Sequence, residues 1–224
     1  MIIESSENYR FTNPKGFIVL EGVNGAGKTT LQNKIYDYIS NKGLSCLKTR
    51  EPGSSETGKL LRPIILNPPE KLSSRTELFL FAADRSQHIE SVIRPALKNR
   101  ELVISDRYYY STDAFQGFGR ELDRKLVSAI NSIAIDGLVP DLVILLDLDP
   151  QAGIMRNRKQ ASSEIDSFET EQISFHTRLR NGFLQLAEEL PEPFVIINAA
   201  TSPDEVYAKT IPLLDSLLNS IESK

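Results

Sequence analysis

Residues 16–30, GFIVLEGVNGAGKTT, constrain this chain more than any other stretch. Phe17, Ile18, Val19 and Leu20 form a short apolar, partly β-branched run that stops at Glu21 and Gly22, which predicts a buried parallel strand followed by a tight turn. Gly22, four further residues, then Gly27, Lys28 and Thr29 match the GxxxxGK[ST] spacing of a phosphate-binding loop, and Leu31, Ile35, Tyr38 and Ile39 follow with helical periodicity. Glycines let backbone N–H groups close around phosphate oxygens. Lys28 adds a point charge, Thr29 a hydroxyl for Mg²⁺, and the helix start its positive dipole end. The expected loop is Gly22, Val23, Asn24, Gly25, Ala26, Gly27, Lys28, Thr29 and Thr30, and its ligand a nucleoside triphosphate, ATP being the candidate.

Such a loop serves switches, motors and kinases alike, so the rest of the chain must decide. With 224 residues, 40% of them hydrophobic, a single domain with a sizeable core is expected over residues 16–224, preceded by a loose arm over 1–15. A net charge of −4 gives no global attraction for nucleic acid or anionic lipid. One cysteine, Cys46, cannot form an internal disulfide, and no apolar run approaches the ~20 residues that span a bilayer, so the expectation is a cytoplasmic protein without membrane partner. His88 and His176 have no metal-ligand spacing with each other or with Cys46.

Strand patterns at 44–49, 101–105, 141–146 and 194–197 alternate with helical patterns at 56–66, 74–98, 122–138, 168–190 and 203–221. Together with the first strand they predict an α/β fold: a five-stranded parallel sheet with helices on both faces. In open sheets of this kind ligands bind at the carboxyl ends of the strands. There the sequence puts Arg50 and Glu51 in a Pro-Gly turn, and Asp106 and Arg107 after the third strand. Arg50 reads either as an anion ligand or as half of a surface ion pair. Asp106 suits a Mg²⁺ or water ligand and Arg107 a second phosphate clamp. Phe81 and Arg85, four apart, share a helix face; they could stack a flat ring and read its carbonyl, or be a core ring beside a surface charge. YYYSTDAFQGFGR, from Tyr108, could enclose a base and sugar or simply pack under a helix. Arg156, Arg158 and Lys159 precede a polar stretch, residues 160–167, and read as a basic lid over about 155–168 or as a solvated face.

A guanine-reading switch would carry an NKxD tetrad, which is absent, whereas a phosphotransferase needs a second anion site and cations around the moving group, for which Arg50, Arg107 and the 156–159 cluster are candidates. The order of motifs then resembles the thymidylate kinase family. LEGVNGAGKTT, TREPGSSETGKLLR from Thr49, LFLFAADRSQ from Leu78, DRYYYSTDAFQG from Asp106, PDLVILLDLDP from Pro140 and RLRNGFLQLA from Arg178 carry the likeness, which runs from Gly16 to the last helix. The resemblance implies the three-layer nucleoside monophosphate kinase fold with a short lid, the reaction ATP + dTMP to ADP + dTDP with Mg²⁺, and a homodimer. It implies Phe81 as thymine stacker, Arg85 as reader of a base carbonyl, Ser111 or Thr112 and Gln116 at the base edge, and Phe115 against the sugar's 2′ position. Arg50, Glu51 and Arg107 fall around the acceptor phosphate, Asn24 near the sugar, and Thr29 and Asp106 on the metal.

The family divides by whether its catalytic arginine lies in the P-loop or in the lid. Gly25 carries no charge, so the resemblance assigns catalysis to Lys28, Arg107, Arg156 and Arg158, the bacterial arrangement. Four positions depart from the pattern. Asn24 stands for the usual acidic residue, Ser54 for a glycine, Gln160 for a third lid arginine and Ser167 for the arginine of a lid DR pair. These departures motivate two alternatives, a kinase for another deoxynucleoside monophosphate and a nucleotide-binding regulatory protein.

Overall fold

The computed structural model describes residues 2, 11–160 and 167–222. Five parallel strands, β1 (Phe17–Gly22), β2 (Cys46–Arg50), β3 (Leu102–Asp106), β4 (Leu142–Asp147) and β5 (Phe194–Asn198), stand in the order β2-β3-β1-β4-β5. The register pairs Leu20 with Asp106 and with Ile144, so β1 is hydrogen-bonded on both sides. Every residue of β1 is buried. Side chains alternate along a strand, so both faces of the sheet are covered, as continuous apolar runs require.

Helix α1 (Lys28–Asn41) packs with α9 (Pro203–Glu222) against the sheet. A second group is formed by α2 (Glu56–Leu66), α3 (Ser74–His88), α5 (Tyr109–Thr112), α6 (Arg124–Ile135) and α8 (Ile173–Glu189). The remaining helices are α4 (Arg94–Lys98) and α7 (Pro150–Gln160). The periodicity over 74–98 predicts one helix, but a π-helical turn at Ile89–Ile93 separates α3 from α4. Pro95 lacks an N–H and its ring crowds the carbonyl four residues back, so the regular ladder cannot pass it unchanged. A second π-helical turn, Asp113–Gly119, follows α5.

The described residues before β1 make definite contacts. Phe11 is buried in the core, Ile2 forms a parallel bridge with Phe194, and the Asp141 carboxylate accepts from the backbone N–H groups of Lys15, Gly16 and Phe17 at 2.7–2.9 Å. Three aligned donors on one carboxylate fix the chain's approach to β1. Cys46 is half-buried on β2, and burial pushes its thiol up to about 12, which suits a bystander. Among the described residues no helix is long and apolar enough to cross a membrane.

Candidate active site

The loop between β1 and α1 takes the shape its glycines permit. Gly25 has φ +77°, and a Cβ there would lie 2.2 Å from the Gly153 carbonyl oxygen of α7. No side chain fits, which gives a steric reason why an arginine cannot project from this turn. Lys28 folds back over the loop, its Nζ donating to the carbonyls of Gly22 and Val23 at 3.0 and 3.1 Å. Burial, with Arg107 nearby, lowers its ammonium to about 8, against the opposing pull of Asp106 and Glu21. An anion in the loop would raise it again.

At the end of β3 the backbone turns sharply, and Arg107 holds φ +77°, a left-handed conformation costly for a side-chain-bearing residue. Its guanidinium donates to the Gly22 carbonyl (3.1 Å), Ser111 Oγ (3.0 Å) and Asn24 Oδ1 (2.6 Å) and lies over the Phe115 ring. Beneath it Glu21 accepts from the N–H groups of Tyr108 and Ser111 and from Ser111 Oγ. Burial pushes the Glu21 carboxyl up to about 7 although Arg107 and these hydrogen bonds pull it down. Glu21 thus ties the P-loop strand to the turn that aims Arg107, a role the sequence reading missed because an acidic residue ending a strand looks the same wherever it points.

Two connected hollows result. The larger, about 910 Å³, is lined by the P-loop, Arg50, Arg62, Asp106, Arg107, Arg156 and the segment Ala199–Pro203. The smaller, about 50 Å³, is lined by Phe81, Ser111, Thr112, Phe115, Gln116 and Phe168, and shares Asn24, Pro52, Leu66 and Arg107 with the first. Thr29 Oγ1 donates to Asp106 Oδ2 at 3.0 Å on the floor of the larger cleft. Among the described residues no cluster of three or more His, Cys, Asp or Glu could hold a metal by itself.

A family model described as thymidylate kinase matches residues 20–210. The thymidylate kinase of Oleidesulfovibrio alaskensis is 46% identical over 197 residues, 85% of this chain and 93% of its own length. The chain belongs to the thymidylate kinase family. The thymidylate kinase of Desulfosudis oleivorans is 42% identical over 207 residues, 89% of this chain and 96% of its own. A crystal structure of thymidylate kinase from Ehrlichia chaffeensis superposes with a TM-score of 0.73 at 28% identity, covering 90% of this chain and 99% of that one. Fold and family therefore agree, and with them the α/β nucleotide-kinase architecture.

Within this family frame several expected site residues lie elsewhere than their spacing suggested. Arg85 is 1% exposed and off the pocket wall. Its Nε donates to Glu51 Oε2 (2.8 Å), Nη1 to Asn131 Oδ1 (3.2 Å) and Nη2 to the Tyr108 carbonyl (3.2 Å). The expectation that Arg85 reads a base carbonyl meets a side chain whose nitrogens are each engaged inside the core. Glu51 borders the large cleft, yet its carboxylate is taken by Arg85 and by His88 Nδ1 at 3.0 Å, so it braces the turn from behind. Ser111 Oγ is engaged by Glu21 and Arg107, whereas Thr112 Oγ1, also at the small cavity, has no hydrogen-bond partner. Tyr108, Tyr109 and Tyr110 are buried and do not enclose the cavity.

Arg156, which lines the larger cleft, donates to the Ala199 carbonyl at 2.7 Å and to that of Ala200 at 3.4 Å, and Arg158 is exposed on α7. Of the expected lid, residues 161–166 lie outside the described residues, and Phe168 belongs to the small cavity. Arg62, which ends the TREPGSSETGKLLR stretch but was given no role there, borders the larger cleft and donates to the Pro52 carbonyl.

Proposed function

We propose that the chain transfers the γ-phosphoryl group of ATP to dTMP, with the P-loop cleft as donor site and the Phe81–Phe115 cavity as acceptor site. One observation carries the acceptor assignment. Thr112 Oγ1 and Gln116 Oε1, on side chains 1% and 0% exposed, have no hydrogen-bond partner, and both residues line the cavity beside the Phe81 ring. A buried polar atom without a partner costs about 1–3 kcal/mol, and a pyrimidine stacked on Phe81 offers the N–H and carbonyl that these two lack. The small cavity has room for only a few water molecules, and Phe168 packs against both Phe81 (6.0 Å) and Phe115 (5.3 Å), so the base displaces Phe168 as it binds.

The remaining roles follow from charge. Arg107 borders both cavities and, with Arg50, holds the acceptor phosphate facing the donor. Lys28 and the loop N–H groups take the donor phosphates. Thr29 Oγ1 and Asp106 Oδ2 are hard oxygen donors of the kind Mg²⁺ takes alongside phosphate and water. Once bound, Mg²⁺ neutralises charge developing on the transferring group. Phosphoryl transfer needs little covalent help, so positioning and charge balance are what these residues contribute. A coupled assay of ADP release with dTMP, dUMP, dCMP and dGMP tests the reading: dTMP is expected to be the best acceptor, and no turnover with dTMP would reject it.

The functional unit is a homodimer. Helices α2, α3 and α6 pack side by side and leave Leu60, Phe79 and Ile133 74%, 54% and 76% exposed. Three large apolar side chains on one helical layer favour a partner surface. The Phe79→Glu/Ile133→Glu protein is expected to sediment as a monomer and the wild type as a dimer; a monomeric wild type would refute this.

A further inference from the structure

Behind the cavity the polar groups form a chain with a fixed sense. Arg120 grips Glu77 with two hydrogen bonds, Nε to Oε2 and Nη2 to Oε1, each 3.0 Å. Its Nη1 is engaged by Glu171, and its guanidinium lies within 5.4 Å of the ring centres of Phe168 and Phe175. Glu77 is 7% exposed, and Oε2 also accepts from Gln116 Nε2 at 3.2 Å. Both oxygens of a carboxylate gripped bidentately by arginine act as acceptors. The Gln116 amide therefore has one orientation open to it: NH₂ toward Glu77, oxygen toward the cavity, where Oε1 is unpartnered.

We infer that the Arg120–Glu77 ion pair sets the hydrogen-bond polarity of the acceptor pocket through Gln116, and so selects pyrimidines that carry a hydrogen on ring N3. The inference rests on the acceptor reading given above. Glu77 and Arg120 are positioning residues; neither lines the cavity. Thymine and uracil present N3–H to Gln116 Oε1 and an adjoining carbonyl to the Thr112 hydroxyl. Cytosine, stacked on Phe81 in the same register, presents an N3 lone pair to a lone pair of Oε1. A site built to pair a donor rejects the analogue that lacks it, because its own buried group is left unpaired.

Glu77→Met provides the test. Gln116 Nε2 and Arg120 Nε share Oε2 of Glu77, so removing the carboxylate frees the Gln116 amide to turn either way and to offer its NH₂ to the base. The ratio of kcat/KM for dTMP over dCMP is expected to fall on the order of ten-fold or more. The dTMP over dUMP ratio, where both bases share the same edge, stays unchanged, as does the KM for ATP. Mere loosening of the pocket would lower all acceptors together. Should Glu77→Met not fold by thermal melting, Glu77→Met/Arg120→Met, which leaves no unpaired arginine, is expected to reduce the same ratio. An unchanged dTMP over dCMP ratio in the folded variant overturns the inference while leaving the dTMP kinase reading in place; a wild type inert toward dTMP overturns both.

Discussion

Arg158→Ala is expected to lower kcat by about 10³-fold, the effect of removing a charge that acts on the transferring phosphoryl group. Gly25 admits no side chain, so the P-loop tip cannot supply an arginine. Arg107 is held by Gly22, Asn24 and Ser111 on the acceptor side. Arg156 is tied to the carbonyls of Ala199 and Ala200, beside Ser202 and Pro203 at the far wall of the cleft. The remaining arginine of the cluster is Arg158, exposed on α7 five residues beyond Gly153, which packs on the P-loop. Arg156→Ala should instead raise the KM for ATP and leave kcat within a few-fold. Steady-state kinetics on the two variants separate the roles; a kcat loss confined to Arg156→Ala would reverse them.

Arg85→Ala is expected to destabilise the fold by about 3–5 kcal/mol, the usual consequence of removing one partner from a buried ion pair. For a chain of this size that corresponds to a melting temperature lower by roughly 6–20 °C. Glu51, 5% exposed, would keep His88 but lose its guanidinium partner, and Asn131 and the Tyr108 carbonyl would each lose a donor. Asp84 would suffer too: burial and Glu51 already push its carboxyl up to about 6, and Arg85 is one of the charges opposing that rise. A variant that melted like the wild type and lost only affinity for dTMP would show that Arg85 reaches the base after all.

The contrast between Phe81 and Arg85 shows how far the chain could be read unaided. Their four-residue spacing correctly implies a shared helix face, but a spacing says nothing about which neighbour that face meets. Phe81 meets the cavity, whereas Arg85 turns into the core because Glu51, far away in sequence, needs a counter-charge. The P-loop, the five strands and the ligand edge were legible because glycine placement and apolar runs are local signals. The reading of 74–98 as one helix failed at a π-helical turn, which leaves no periodic signature, and of the two readings the tyrosine-rich stretch offered, its tyrosines take the packed one while Phe115 and Gln116 line the cavity. Glu21, Glu77 and Arg120 carried no signal at all. Each is an ordinary charge until the fold sets it beside its partner.

The most direct test is a crystal structure of the protein with dTMP and a non-hydrolysable ATP analogue. The expected result has the thymine ring over Phe81, its N3–H on Gln116 Oε1, its phosphate between Arg50 and Arg107, and Phe168 displaced. A dTMP molecule seated elsewhere, with Phe168 still packed between Phe81 and Phe115, would contradict the account.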